Sequence, residues 1–202
     1  VNLFKIFPLS NSTLPPEDIV MKKVLVALAP GFEEIETITV VDILRRAGAR
    51  VILAATGEGP IEGSRGVSVL PDTLIDQIDD EDFDLLVLPG GQPGTSNLQN
   101  NAKVKTIIQN MYQSRKQIAA ICAAPTILHS TGILKNTLVT SHPSVKDQLQ
   151  GIDYSEERVV VDGNIVTSRS PGTALEFALK LIEILFGRDR LDTVNQGVMA
   201  RL

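Results

Sequence analysis

Short, mostly apolar runs recur at positions 24–28, 51–55, 85–88, 118–121 and 138–140, and they constrain the fold more than any other feature. A strand with one wet face alternates apolar and polar residues, and most of these runs have no polar alternate positions. Strands of that kind suit a parallel sheet covered on both faces. Amphipathic segments lie between them. Val104, Ile107, Ile108 and Met111 recur at i, i+3, i+4 and i+7, as do Leu175, Ala178, Leu179 and Ile182, which is the spacing of one helical face. The second helix has Pro171, Gly172 and Thr173 at its start and Gly187 just past its end, residues that begin and stop helices. Residues 158–161 and 164–167, joined through Asp162 and Gly163, read as a hairpin. Strand–helix alternation over this length predicts an α/β, doubly wound sandwich with a mostly parallel central sheet and helices on both faces. Aromatic residues make up 4% of the chain and Trp is absent, so the core must be built from Val, Ile, Leu and Ala.

The 202 residues suffice for one domain of ordinary size and are short for two. Residues 1–20 read differently from the rest, with Pro8, Pro15, Pro16, a polar cluster from Ser10 to Thr13 and no periodicity. A single domain is expected over 21–202, starting at Met21, with the preceding segment an added extension or the remnant of a transit peptide. Cytoplasm is the default location, and an organelle fits only the second of those origins. No apolar run approaches the roughly 20 residues that span a bilayer, so no membrane partner is expected. A net charge of −5 argues against sequence-specific nucleic-acid binding. The single cysteine, Cys122, precludes an internal disulfide framework, and with two histidines, His129 and His142, little is left for a zinc centre. Chemistry without metal or cofactor is expected.

In an open α/β sheet, ligands bind at the carboxyl ends of the strands. The first apolar run is followed by Pro30-Gly31-Phe32-Glu33-Glu34-Ile35-Glu36, and the third by Pro89-Gly90-Gly91-Gln92-Pro93-Gly94. Cys122-Ala123-Ala124-Pro125 follows the fourth and Ser141-His142-Pro143 the fifth. A thiol, an imidazole, carboxylates and a Gly-Gly loop thus converge on one sheet edge. Free cysteines often simply pack. Small neighbours between a buried strand and a Pro-opened helix instead match a nucleophile elbow, and a helix N-terminus lowers a thiol pKa. The functional reading of Cys122 is the stronger one.

Acidic residues at a helix start are favourable through the macrodipole alone, and that suffices for Glu33 and Glu34. Glu36 differs because Val40, Ile43 and Ala47 continue its face, so it is either strained or functional; spacing does not separate the two. Burial would raise its pKa and suit it to proton transfer. Spacing alone favours a surface role for His142, and His129 reads as structural or surface. Gly90 and Gly91 either bring backbone N–H groups to an oxyanion or only satisfy a tight turn. No phosphate loop or dinucleotide fingerprint is present, so no nucleotide cofactor is expected.

Leu88-Pro89-Gly90-Gly91, the 119–125 stretch Ala-Ala-Ile-Cys-Ala-Ala-Pro and Gly31-Phe32-Glu33-Glu34-Ile35-Glu36 resemble the ThiJ/PfpI superfamily. Within it they are similar to the branch of the Parkinson-disease-associated protein deglycase and the chaperone-like YajL. Ser64-Arg65-Gly66-Val67 and the 167–173 stretch Thr-Ser-Arg-Ser-Pro-Gly-Thr support the match, which runs from about Met21 to about Arg188. The resemblance implies a flavodoxin-like sandwich, a homodimer and no cofactor. It implies Cys122 as reactive cysteine, Glu36 as its carboxyl partner, Gly91 and Ala123 as oxyanion donors, and His142 as a histidine that only some members use. The implied activity is glutathione-independent glyoxalase chemistry on methylglyoxal and glyoxal, yielding lactate or glycolate, together with deglycation of early adducts on proteins and nucleotides. The alternative is a redox-sensing, chaperone-like stress protein that oxidises the same cysteine. Two departures matter. Ala123 stands where protease-like members carry histidine, which argues against proteolysis. Gly63 lies where the human-type protein has an interface cysteine, so redox behaviour rests on Cys122 alone. Phe32, beside the carboxylates, is expected to influence pocket size.

Overall fold

The structure, a computed structural model, describes residues 21–200; the extension expected over 1–20 lies outside the described residues. In chain order the elements begin with β1 (Lys23–Leu28), α1 (Glu34–Arg46) and β2 (Arg50–Ala55), followed by three two-residue strands, β3 (Ile61–Glu62), β4 (Ser68–Val69) and β5 (Thr73–Leu74). Next come β6 (Leu85–Leu88), α2 (Gly94–Asn100), α3 (Ala102–Gln113), β7 (Gln117–Ile121) and α4 (Pro125–Ser130). The chain continues through β8 (Leu138–Val139), β9 (Asp153–Tyr154), β10 (Val159–Asp162) and β11 (Ile165–Ser168) to α5 (Ala174–Phe186) and α6 (Arg188–Val198).

Seven strands form one sheet in the order β10-β11-β7-β6-β1-β2-β5. Every neighbouring pair is parallel except the β10–β11 hairpin at one edge. The apolar runs have no wet face because both faces are covered. Val24, Val26 and Leu28 of β1 point into a layer with Val40 and Leu44 of α1, Phe177 and Leu181 of α5 and Leu191 of α6. Leu25 and Ala27 point the other way, toward Leu98 of α2, Ile107 and Met111 of α3 and Leu128 of α4. This is the flavodoxin-like α/β sandwich that the strand–helix alternation predicts.

The fifth apolar run departs from expectation. Only Leu138 and Val139 are extended, and they pair with β9 in a separate two-stranded sheet. The physical reason lies in the backbone partners: Asp162 Oδ2 accepts the Leu138 N–H at 2.8 Å and Thr167 Oγ1 accepts the Thr140 N–H at 2.9 Å. Side chains of the edge hairpin thus take the donors that a ladder would need. Phe32 also departs from expectation, being 1% exposed within the α1–α5 core layer rather than on the pocket wall.

Candidate active site

Parallel strands β1, β6 and β7 deliver loops to one edge of the sheet, the segment after β8 joins them, and the loop after β7 carries Cys122. Its φ of +63° is a conformation that non-glycine residues seldom adopt, as expected of a tight strand-to-helix turn. Both of its backbone polar groups are held. The Cys122 N–H donates to Ser168 O at 2.9 Å, continuing the β7–β11 pairing, and Cys122 O accepts the His142 N–H at 2.8 Å. Ser168 is itself fixed, with its Oγ 2.9 Å from Arg158 O and 2.7 Å from Thr173 Oγ1. A strained residue tied to two neighbouring segments keeps its side chain in one place.

Glu36 reaches the same point from the first turn of α1. Glu33 caps that helix by accepting the Glu36 N–H on its carboxylate at 2.8 Å. The Glu36 side chain is fully buried, and its Oε2 accepts the Gly90 N–H at 2.8 Å. Its Oε1 is buried and, among the described residues, has no hydrogen-bond partner, while the Cys122 thiol neighbours the carboxyl group. Gly90 is glycine because a Cβ there would stand 2.8 Å from both Cys122 Cβ and Glu36 Oε2. With its N–H committed to Glu36, Gly90 positions the carboxyl group and has no donor left for an oxyanion, which corrects the role expected of it. Gly91 has φ +93°, and a Cβ on it would meet Glu33 N at 2.4 Å.

Burial pushes the Glu36 pKa up to about 7, against the opposing hydrogen bonds from Cys122 and Gly90. Burial also pushes the Cys122 thiol up, and the Glu36 charge beside it adds to the effect, while the Ala123 N–H works in the other direction. This corrects the expectation of a thiol made acidic by a helix. The following helix, α4, has only six residues, and its weak field is outweighed by desolvation and a neighbouring carboxylate. The opposing charge is Glu36's own, however. Moving the thiol proton onto Glu36 removes that charge and leaves a carboxyl O–H to donate to the sulfur, so the pair titrates as a unit.

Cys122 faces a cavity of about 320 Å³, whose walls include Gly91, Ala123 and His142, all expected at the site from the sequence, together with Glu33, Ser64 and Arg65, to which the sequence assigns no site role. His142 caps the short turn after β8: its Nδ1 lies 2.7 Å from Ser144 Oγ and accepts the Ser144 N–H at 3.2 Å. His129 is on α4 and is not part of the wall. The sequence supplies Ser64 and Arg65 only as part of a motif match. Their place on the wall depends on the β3–β4 turn folding back onto residues 31–34, where Gly31 N–H donates to Glu62 O at 2.8 Å and Ser64 N–H to Phe32 O at 2.7 Å. Among the described residues, no group of His, Cys, Asp and Glu side chains could hold a metal ion, and no helix is long and apolar enough to cross a membrane.

The chain is similar to known proteins over nearly all of this fold. It is 43% identical over 181 residues to Protein dj-1beta of Drosophila melanogaster, covering 88% of this chain and 97% of that one. The crystal structure of Drosophila melanogaster DJ-1beta superposes with a TM-score of 0.87 at 42% identity, covering 90% of this chain and all of that one. A Caenorhabditis elegans relative, the glutathione-independent glyoxalase DJR-1.2, is 36% identical over 176 residues, covering 86% of this chain and 94% of its own. The DJ-1/PfpI family model matches residues 22–184, the stretch that holds the cysteine elbow, its carboxyl partner and the strands that present them, and the chain belongs to that family.

Proposed function

We propose that the chain is a glutathione-independent glyoxalase, converting methylglyoxal and glyoxal to lactate and glycolate, and that the same site removes their early adducts from proteins and nucleotides. The observation that carries this reading is the Cys122–Glu36 pair, a thiol on a strained turn facing a cavity with a fully buried carboxyl group behind it. The activity named for the Caenorhabditis elegans relative supports it.

The Cys122 thiol adds to the aldehyde carbon of the 2-oxoaldehyde, a C–S bond forms, and the thiol proton ends on the new hydroxyl, giving a hemithioacetal. Backbone N–H groups at Gly91 and Ala123 meet the oxygen as it gains charge. Glu36 takes the proton from the former aldehyde carbon, an enediol forms, and Glu36 returns the proton to the adjacent carbon. The product is a thioester of a 2-hydroxy acid, with no net oxidation. Water cleaves it, freeing the acid and restoring the thiol. A carboxyl group titrating at about 7 is matched to giving and taking a proton at neutral pH. In deglycation the thiolate displaces the amine from an aminocarbinol adduct, the C–N bond breaking as C–S forms and Glu36 passing the former thiol proton to the departing nitrogen, and the same hemithioacetal results. His142 on the cavity wall orients the substrate's oxygen atoms in this reading. A homodimer belongs to the same reading, and the exposed Ile35 and Ile38 on α1 offer an apolar face for it.

The test is methylglyoxal consumption with lactate detection in the absence of glutathione, comparing the unaltered chain with Cys122→Ala and Glu36→Gln. Lactate from the unaltered chain alone is the expected result. A folded, reduced and inactive chain would overturn the reading in favour of redox sensing through Cys122.

A further inference from the structure

The turn between β3 and β4 is built as part of the pocket. Gly63 N–H donates to Val67 O at 2.9 Å and Gly66 N–H to Gly63 O at 3.1 Å, which closes the turn on itself. The Glu34 carboxylate, 8% exposed, then fastens the turn to α1 by accepting the Arg65 N–H at 2.5 Å, the Ser64 O–H at 3.2 Å and the Val67 N–H at 3.4 Å. The fit is close enough that a Cβ on Gly63 would come within 2.5 Å of Glu34 Oε1. A macrodipole contact at a helix start requires none of this.

The fastened turn puts Ser64 and Arg65 on the wall of the Cys122 cavity. The Arg65 Nη1 donates to Ser64 O at 3.2 Å, and among the described residues the guanidinium makes no ion pair. Among the described residues it is the one Lys or Arg on the cavity wall, where the other charges are carboxylates, Glu33 on the wall and Glu36 beside the thiol. An anionic reactant nearing Cys122 would be repelled by those two groups without it. We infer that Arg65 is the specificity-determining residue that admits carboxylate-bearing reactants to Cys122, and that Glu34 is the positioning residue that aims it. The inference rests on Cys122 being the reacting group of the proposed function, and it extends the substrate class to 2-oxoaldehydes and adducts that carry a carboxylate.

Iodoacetate and iodoacetamide test it without turnover, since both alkylate a thiol with loss of iodide and differ by one negative charge. The readout is the ratio of their rates at Cys122 in low salt. Arg65→Gln is expected to lower the ratio about fivefold, the effect of one unit charge a few ångströms away in a watery site. Arg65→Lys should keep most of it, and 1 M salt should erase the difference. Glu34→Ala should lower the ratio in the same direction, with no further fall when Arg65→Gln is added; Glu34→Gln serves if the alanine variant does not fold. An unchanged ratio in Arg65→Gln overturns the inference, as does a ratio that Glu34 variants leave alone. Failure of both reagents to reach Cys122 in the folded chain overturns it too. A chain that makes no lactate but shows the expected ratios would lose the glyoxalase reading and keep this one.

Discussion

Glu34 and Glu36 stand two residues apart in the first turn of α1, both buried, yet the regions they enter treat them in opposite ways. Glu34 faces the β3–β4 turn. Burial there pushes its pKa up, but hydrogen bonds from the amides of Arg65, Glu34 and Val67 and from the Ser64 hydroxyl outweigh it and hold the carboxyl below its ordinary range. Glu36 faces the strand ends, where one backbone donor and a thiol do not offset burial, and its pKa rises to about 7. More donors at a shallower site keep Glu34 ionised, and fewer donors at a deeper site do not offset burial at Glu36. A structural anion and, in the proposed mechanism, a proton carrier are thus made from one residue type on one helical turn.

Exchanging each for its amide is the sharpest way to separate them. In the proposed mechanism Glu36→Gln removes the proton-transfer group and is expected to lower kcat/KM for methylglyoxal by about 10²- to 10⁴-fold, whereas Glu34→Gln should cost no more than about tenfold, measured by lactate formation. Comparable losses in both would break the contrast.

Stability should respond with opposite signs. The folded pKa of Glu36 lies above its ordinary 4.5, so its contribution is fully present below pH 4.5 and is lost as pH rises through about 7. The difference corresponds to about 3 kcal/mol, so Glu36→Gln should gain about that much over the unaltered chain between pH 4.5 and pH 8 in denaturant unfolding. Glu34 has a depressed pKa, so its contribution is present above the ordinary value and lost as pH falls through the folded one. Glu34→Gln should therefore weaken the protein at pH 7 and converge on it in acid. Smaller again is the pH dependence of catalysis. The competent pair carries one proton, so kcat/KM should fall about tenfold for each pH unit below about 7 as the second proton binds. A profile flat from pH 5 to 8 would contradict that assignment. Asp42 completes the series on the same helix. Its ion pair with Arg46 at 2.9 Å is half-exposed, and Asp42→Ala should change unfolding free energy by about 0.5 kcal/mol or less.

The sequence carries the sheet clearly because Val, Leu and Ile runs without polar alternates leave few other solutions, and it carries the hairpin through Asp162-Gly163. It carries the strand-to-helix turn at Cys122 through its small neighbours and the burial of Glu36, though not its role, through the apolar face that the residue leads. The role of Glu34 is not legible, since its donors lie 30 or more residues away and a helix start already accounts for an acidic residue. The same distance hides Arg65 and Ser64 on the cavity wall. The thiol's electrostatics mislead for a related reason: the helix after Cys122 is visible in sequence, whereas the desolvation and the carboxylate that outweigh it arise only from packing. Leu138–Val139 misleads because its donors go to Asp162 and Thr167, and an apolar run says nothing of which acceptors surround it.

One turn of helix thus holds an ionised carboxyl group and one that shares a proton with a thiol. Titration of the side-chain carboxyl carbons by ¹³C NMR, with Glu34→Gln and Glu36→Gln for assignment, tests it most directly. A Glu36 midpoint near pH 7 and a Glu34 midpoint below 4.5 are expected. Two midpoints together in the ordinary carboxylate range would contradict it.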